Sequence, residues 1–393
     1  MKANNSKSNK VNNRNAILKM IALNAPITRI ELANRSGLSK MSLTNIISEF
    51  KEEGLVIETG VDVSASGKRK PILLELNDGA LCSIGIHITR SFVEGCLADI
   101  KGSILFSKKE PLPQNVNAKI LTDIILNLIR TIHDLENRRI IGIGVSSMGP
   151  LDLEKGMIVN PTNFYGIENL PIVNIIKEQY PELPVFLCKN TNSAVLAEKY
   201  YGTDKTIKNF VYLGVSKGLG CGAVINDRLV TGSNGFACEL GHISIDPEGP
   251  LCSCGNKGCL EMYASLNAAE QYAEEEIKKG EKTVLKSPVS YEDIVTAAKE
   301  NDNVACRVLD KQCKYLAIAV TNLINAFDPA SVIVGNEIAI AGKEIIDRVR
   351  ALVGNIPISM KNHPVDIMLS KFYDKAPLLG SATYVFEMLY FCE

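Results

Sequence analysis

The charge of this chain changes sign near residue 70, and that break divides it into modules that fold and bind differently. Residues 1–70 hold 12 Lys and Arg against 6 Asp and Glu, while the remainder holds 31 against 38, so the formal net charge of −1 conceals a basic head and an acidic body. Basic segments attract phosphates by releasing their counterions, and the first reading of residues 1–70 is nucleic-acid contact. A solvated basic tail without a partner is the alternative that charge alone leaves open. A length of 393 residues exceeds one compact core at about 100–200 residues per domain, which points to two or three folding units.

No stretch approaches the ~18 uninterrupted apolar residues of a membrane span. The first residues, Met1-Lys-Ala-Asn-Asn-Ser-Lys, lack the apolar core of a signal peptide, so a cytoplasmic location without membrane contact is expected. In a reducing compartment the 11 cysteines read as buried thiols and a metal site, not as disulfides.

Residues 1–12 are Asn, Ser and Lys with little apolar content and read as a flexible arm. Over residues 13–77 the pattern becomes specific. Ala16, Ile17, Leu18, Met20 and Ile21 give a first helix its apolar stripe, ended by Asn24-Ala25-Pro26. Thr28-Arg-Ile-Glu31 fits a capping box opening a second helix, and Gly37 supplies the turn. Ser39 is placed to cap a third helix that buries Leu43, Ile46, Ile47 and Phe50 at i, i+3, i+4, i+7. Strands at Leu55–Ile57 and Ile72–Leu76, joined by the basic loop Ser64-Ala-Ser-Gly-Lys-Arg-Lys-Pro71, form a wing. The expected element is a winged helix-turn-helix binding double-stranded operator DNA. Its candidate contacts are Thr28, Lys40, Ser42, Thr44 and Asn45 around the recognition helix and Lys68, Arg69 and Lys70 in the wing.

From residue 78 short apolar strands alternate with helices. Cys82–Ile86, Phe92–Leu97 and a hairpin around Asp99–Gly102 precede a helical stretch over 118–135 and a buried strand Ile140–Ser146. The theme returns at Phe210–Ser216, Cys221–Ile225 and Ser331–Val334. Such a repeat predicts an α/β body of two lobes with a ligand cleft. Within Glu239-Leu-Gly-His242…Glu261, Cys252, Cys254 and Cys259 lie within eight residues among glycines, and His242 can supply a fourth ligand. Three sulfurs and an imidazole make a closed tetrahedral, structural Zn²⁺ site.

Glu-Leu-Gly-His, Asp-Pro-x-Gly-Pro-x-Cys-x-Cys-Gly-x-x-Gly-Cys-x-Glu and the Ala197-Glu198 helix after Asn192 stand in the order and spacing of the ROK family of bacterial sugar-responsive repressors and sugar kinases, which the chain resembles over nearly its whole length. The winged head resembles the repressor branch, that of xylose and N-acetylglucosamine repressors. The resemblance implies an N-terminal winged helix-turn-helix followed by a two-lobed, actin-like (ribonuclease H-like) sugar-kinase fold. The body then divides into about 78–190 plus a C-terminal helix 377–393 as first lobe, and about 191–376 as second lobe with the zinc loop. It also implies a sugar effector held in the interlobe cleft by Asn163, Lys189, Asn190, Glu239, His242 and Glu261, and a homodimer, or a tetramer built from it.

The same resemblance implies that the kinase chemistry is lost. The family's Glu-Asn-Asp-Ala-Asn, whose Asp is the general base, is here Cys188-Lys189-Asn190-Thr191-Asn192, and the amide of Asn190 cannot take a proton at neutral pH. The first phosphate loop has become His87-Ile88-Thr89-Arg90-Ser91. The second survives in part as Val215-Ser-Lys-Gly218-Leu-Gly220-Cys-Gly222, and a Gly-Gly-Gly has become Gly335-Asn336-Glu337. No ATP and no catalytic residue are expected. The function read from the sequence is a sugar-responsive repressor of carbohydrate-utilisation genes, xylose metabolism among them; an ATP-dependent sugar kinase with an added DNA module is the alternative. Lys189 leaves a neutral or a charged sugar open.

Overall fold

The computed structural model describes the chain except residues 1–5, 63–69, 136–137, 162–163, 234, 355, 357, 359, 361–362 and 393. It divides into two compact units, one of residues 1–160, 165–206 and 378–393 and one of 161–164 and 207–377.

The first unit opens with α1 (Ser6–Asn24), β1 (Ile27–Thr28), α2 (Arg29–Ser36), α3 (Lys40–Glu52), β2 (Val56–Val61) and β3 (Ile72–Leu76). The three strands form an antiparallel sheet in the order β1-β3-β2. Ile17, Leu18 and Ile21 of α1, Leu32 of α2 and Leu43, Ile46, Ile47 and Phe50 of α3 are all buried, so the apolar positions expected from helical spacing make one small core. The two-residue strand β1 had no signature in the sequence. The expected flexible arm over 1–12 is corrected: α1 already starts at Ser6. Intrinsic propensity did not foresee this because α1 is held by partners elsewhere in the chain. Lys10 pairs with Glu49 (2.7 Å), and Arg14 pairs with Glu49 (2.5 Å) and Glu53 (2.8 Å) while lying 4.7 Å over the Phe50 ring.

The unit continues with β4 (Cys82–Ile88), β5 (Phe92–Asp99), β6 (Ile104–Pro111), α4 (Ala118–His133), β7 (Ile140–Ser147), the short pair β8 (Leu151–Asp152) and β9 (Met157–Ile158), α5 (Ile172–Gln179), β10 (Val185–Lys189) and α6 (Asn190–Tyr201). Its five-stranded sheet runs β10-β7-β4-β5-β6; β4, β5 and β6 form an antiparallel meander, and β7 and β10 join parallel to β4. The C-terminal helix Ala376–Phe386 packs so closely on this sheet that a Cβ at Gly144 would stand 1.9 Å from the Ser381 carbonyl oxygen.

The second unit holds β11 (Phe210–Val215), β12 (Leu219–Ile225), β13 (Arg228–Leu229), α7 (Glu261–Ala264), α8 (Leu266–Lys278), α9 (Tyr291–Lys299), α10 (Asn303–Phe327), β14 (Ser331–Gly335), α11 (Lys343–Val353) and β15 (Asp366–Leu369). Its sheet, β13-β12-β11-β14-β15, repeats the plan of the first: an antiparallel meander with two strands added in parallel. The duplicated meander-plus-parallel sheet is the actin-like arrangement that the sequence resemblance implied. One expected boundary moves. Helix α6 lies in the first unit, not beyond residue 190, because every residue from Thr191 to Tyr201 is buried there, with the Tyr201 hydroxyl donating to the Ile100 carbonyl at 3.0 Å.

Gly144→Ala is expected to lower stability by about 1–3 kcal/mol through overpacking, read as a fall in the urea midpoint of the full chain. Gly79→Ala, whose Cβ would meet its nearest neighbour at 3.6 Å, should stay within about 0.5 kcal/mol of the parent.

Candidate functional site

Three groups of side chains carry chemistry, and the first is the exposed face of α3. The Ser39 side chain accepts from the Ser42 amide and caps the helix. Lys40, Ser42, Thr44 and Asn45 are all exposed on its first two turns, as their spacing outside the apolar stripe requires. Lys70 is exposed too, whereas Lys68 and Arg69 lie outside the described residues. Thr28 is corrected. Its side chain is buried, accepts from the Glu31 amide (3.2 Å) and donates to the Glu31 carboxylate (2.8 Å), so it is a helix cap with no capacity left for DNA.

The second group is the loop between Glu239 and Glu261. The ligand atoms of His242, Cys252, Cys254 and Cys259 all lie within 4.8 Å of one another. Cys252 Sγ stands 3.7 Å from His242 Nδ1, and Cys254 Sγ stands 3.6 Å from Cys259 Sγ. Local backbone geometry brings them together. Single bridges pair Ser244 with Cys259 and Leu251 with Lys257, and the Cys252 amide donates to the Asn256 carbonyl at 2.8 Å. Gly258, at φ 65°, passes so near the Asp246 carbonyl that a Cβ would stand 1.7 Å from its oxygen. Burial, and then the adjoining Cys254 and Cys252, push the Cys259 thiol up to about 12. A metal cation is the partner that lets such crowded sulfurs lose their protons. Three thiols and an imidazole thus form a cluster able to hold a metal ion.

The third group is the expected effector set. Lys189 ends β10 and is buried, and Asn190 opens α6 with its side-chain oxygen accepting from the Thr191 amide at 2.8 Å. Beside them, Ser147 Oγ, Thr191 Oγ1 and Asn192 Oδ1 are buried with no hydrogen-bond partner among the described residues. Ser147 is the strand partner of Lys189 in the parallel pair β7–β10. An unpaired buried polar atom costs about 1–3 kcal/mol, so this edge is built to receive hydrogen bonds. It is also the C-terminal edge of parallel strands, where α/β sheets take ligands. Sequence reading missed Ser147, Thr191 and Asn192; a run of small polar residues at a strand end was the available signal. Cys188, by contrast, is fully buried and its thiol is pushed up by desolvation, as a packing residue should be. Asn163 lies outside the described residues. Glu239, His242 and Glu261 belong to the second unit, and the Glu261 carboxylate accepts from the Leu219 amide at 2.9 Å.

The two segments that the family resemblance aligned with kinase phosphate loops are closed by hydrogen bonds of their own. At the first, Thr89 Oγ1 accepts from the amides of Ser91 (3.2 Å) and Phe92 (3.0 Å) and donates to the Phe92 carbonyl (2.9 Å), closing a tight β4–β5 turn. At the second, Ser216 donates to the Glu337 carboxylate while Glu261 takes the Leu219 amide. The Asn336 amide reaches Ser216 Oγ at 3.2 Å, and Tyr212 donates to Asn336 Oδ1 at 2.8 Å.

Comparison with known proteins agrees with this anatomy. The model described as "ROK family" matches residues 83–387, and one described as "Winged helix-turn-helix DNA-binding" matches residues 12–57. The xylose repressor of Bacillus spizizenii is 32% identical over 381 residues, 95% of each chain. The DNA-binding transcriptional dual regulator NagC of Escherichia coli is 29% identical over 345 residues, 87% of this chain and 84% of that one. The crystal structure of a ROK family transcriptional regulator, a homologue of the E. coli MLC protein, superposes with a TM-score of 0.81 at 29% identity, over 97% of this chain and 96% of that chain.

Thr28→Ala is expected to cost about 1 kcal/mol of stability, the usual worth of an N-cap, while leaving the salt dependence of DNA binding unchanged. Thermal unfolding and a salt titration of DNA affinity check the two halves of that statement.

Proposed function

The chain belongs to the ROK family, and from that premise we propose that it is a sugar-responsive transcriptional regulator, a repressor of carbohydrate-utilisation genes acting on operator DNA in the cytoplasm. The observation that carries this reading is the joining of a winged helix-turn-helix head to a ROK body in one chain. The relatives named for xylose repression and for the regulator NagC favour the same class. A homodimer presenting two heads, or a tetramer made of two such dimers, fits the symmetry of DNA half-sites.

The effector is a sugar, and its proposed contacts are Lys189, Asn190, Glu239, His242 and Glu261, with Asn163 as a further one. Hydroxyl groups of a sugar suit the unpaired oxygens of Ser147, Thr191 and Asn192, which need donors and acceptors in close quarters. D-xylose heads the panel to be tried. Zinc is the metal that fits the His242, Cys252, Cys254 and Cys259 cluster: sulfurs each ~2.3 Å from a tetrahedral zinc stand about 3.8 Å apart, close to the 3.6 Å between Cys254 and Cys259. Its contribution is structural, pinning a polar loop and fixing His242. With Nδ1 turned to the sulfurs, Nε2 of His242 is the atom left for the sugar.

Phosphoryl transfer does not follow from these residues. Asn190 cannot act as a base, and phosphate oxygens would have to displace the Glu337 and Glu261 carboxylates from Ser216 and Leu219. The route from effector to head lies within the first unit. Helix α6 runs from Asn190 to Tyr201 and carries Tyr200, whose ring stacks 4.8 Å from Phe391 and whose hydroxyl donates to Glu387. Immediately after the short helical turn Glu387–Phe391, the Cys392 carbonyl accepts from the Asn15 side-chain amide of α1 at 3.0 Å.

Gel shifts on the DNA upstream of the protein's own gene, with and without a panel of mono- and disaccharides, test the function. One sugar is expected to change affinity roughly 5- to 150-fold, the ~1–3 kcal/mol of a typical coupling between sites. Absence of salt-sensitive specific binding sinks the proposal, and ATP turnover above background with any of these sugars restores the kinase alternative. For the metal, Cys254→Ser is expected to lose most of the bound zinc and to weaken the sugar response more than DNA binding. Equal zinc content in variant and parent contradicts the ligand set.

A further inference from the structure

We infer that α3 reads A·T base pairs, with the Asn45 amide on an adenine and the Met41 side chain against a thymine methyl. This rests on the DNA-binding reading above and specifies what that surface recognises. Helix α3, Lys40–Glu52, contains no Arg, and its two carboxylates, Glu49 and Glu52, stand in its last turns. Its first two turns therefore offer neither the guanidinium fork that pairs with guanine O6 and N7 nor a carboxylate to accept from the cytosine amino group.

The remaining exposed groups differ in how far they are already committed. Thr44 spends its hydroxyl proton on the Lys40 carbonyl at 2.8 Å, and Ser42 shares a hydrogen bond with the capping Ser39 hydroxyl at 2.9 Å. Lys40, at the first helical position, makes no ion pair among the described residues and offers a point charge suited to phosphate. Asn45 is exposed, and its amide has no hydrogen-bond partner among the described residues. An unengaged carboxamide presents a donor and an acceptor side by side, which is the complement of adenine N7 and N6. Met41 is 77% exposed at the second helical position, a thioether held in water where a methyl group in the major groove would cover it. Neither side chain contributes to the head's core, so their replacement leaves its packing intact.

The test selects duplexes from a randomised pool with the full-length protein at fixed salt, then measures binding of single-position variants of the selected site. Asn45→Ala is expected to lose discrimination at one A·T position by roughly 5- to 150-fold, the 1–3 kcal/mol that one bidentate base pair contact is worth, and to bind mismatched duplexes as the parent does. Replacing thymine by deoxyuracil at the adjoining position, which removes the methyl alone, should weaken the parent several-fold and leave Met41→Ala indifferent. Uniform loss of affinity by Asn45→Ala on every duplex, or a parent indifferent to deoxyuracil, overturns the assignment. A selection that returns no preferred sequence overturns the DNA-reading function itself, a different result from these.

Discussion

The last sixteen residues of the chain hold the first unit together, and much else depends on their return. Ser381 lies over the room left by Gly85 and Gly144 on neighbouring strands, and Gly380 fits against the Ser193 carbonyl of α6. The Ser83 hydroxyl of β4 donates to the Ala382 carbonyl at 2.9 Å. Close packing of this kind transmits displacement because a dense interior has little slack to absorb it. The helix buries β4, β7 and α6 together, then continues through Glu387 and Phe391 to the backbone that Asn15 of the head touches. A chain end that closes one unit and meets the DNA-binding head makes the edge at Lys189 and the helix at Asn15 parts of one packed body.

The winged head was legible because its signals are local. A capping box at Thr28, a Gly turn and a four-point apolar stripe each fix the backbone within a few residues, and all three stand where spacing put them. What escaped were features that depend on distant partners. Helix α1 extends back to Ser6 although Asn and Ser favour other conformations, since Glu49 of α3 and Glu53 just beyond its end draw Lys10 and Arg14 to it. Glu49 is held below the usual carboxylate range by Lys10 first and then Arg14, so it stays charged well below neutral pH. The tie is therefore present above its ordinary range and fades only as pH falls through the lowered value. Thr28 shows the converse failure: residue type suggested a DNA contact, but the same hydroxyl cannot both close a capping box and reach a phosphate.

In the body, spacing was enough for the metal cluster and not for the polar edge. Three cysteines in a glycine-rich loop declare themselves in sequence, because few other uses need that density of thiols. Ser147, Thr191 and Asn192 are ordinary residues until burial removes water from them, and only then does the lack of a partner mark them as waiting for one. The turns at Thr89 and Ser216 illustrate a third case. Sequence listed their residues; it could not show that Thr89 closes its own turn or that Ser216 donates to Glu337, which is a matter of side-chain reach.

The basic head binds by something other than its surplus of charge. Of its cations, Lys10, Arg14, Arg29 and Lys51 are engaged with Glu49, Glu53 and Glu58. A cation shared with a carboxylate releases few counterions when it nears DNA, so these four add little to affinity that salt can screen. At the start of α3, Lys40 makes no ion pair among the described residues. Beside it the helix exposes the amide of Asn45, the hydroxyls of Ser42 and Thr44 and the thioether of Met41. A head so constructed is expected to bind non-specific DNA more weakly than its composition implies and to draw more of its affinity from the bases, the balance that the proposed regulation by a small coupling to sugar requires.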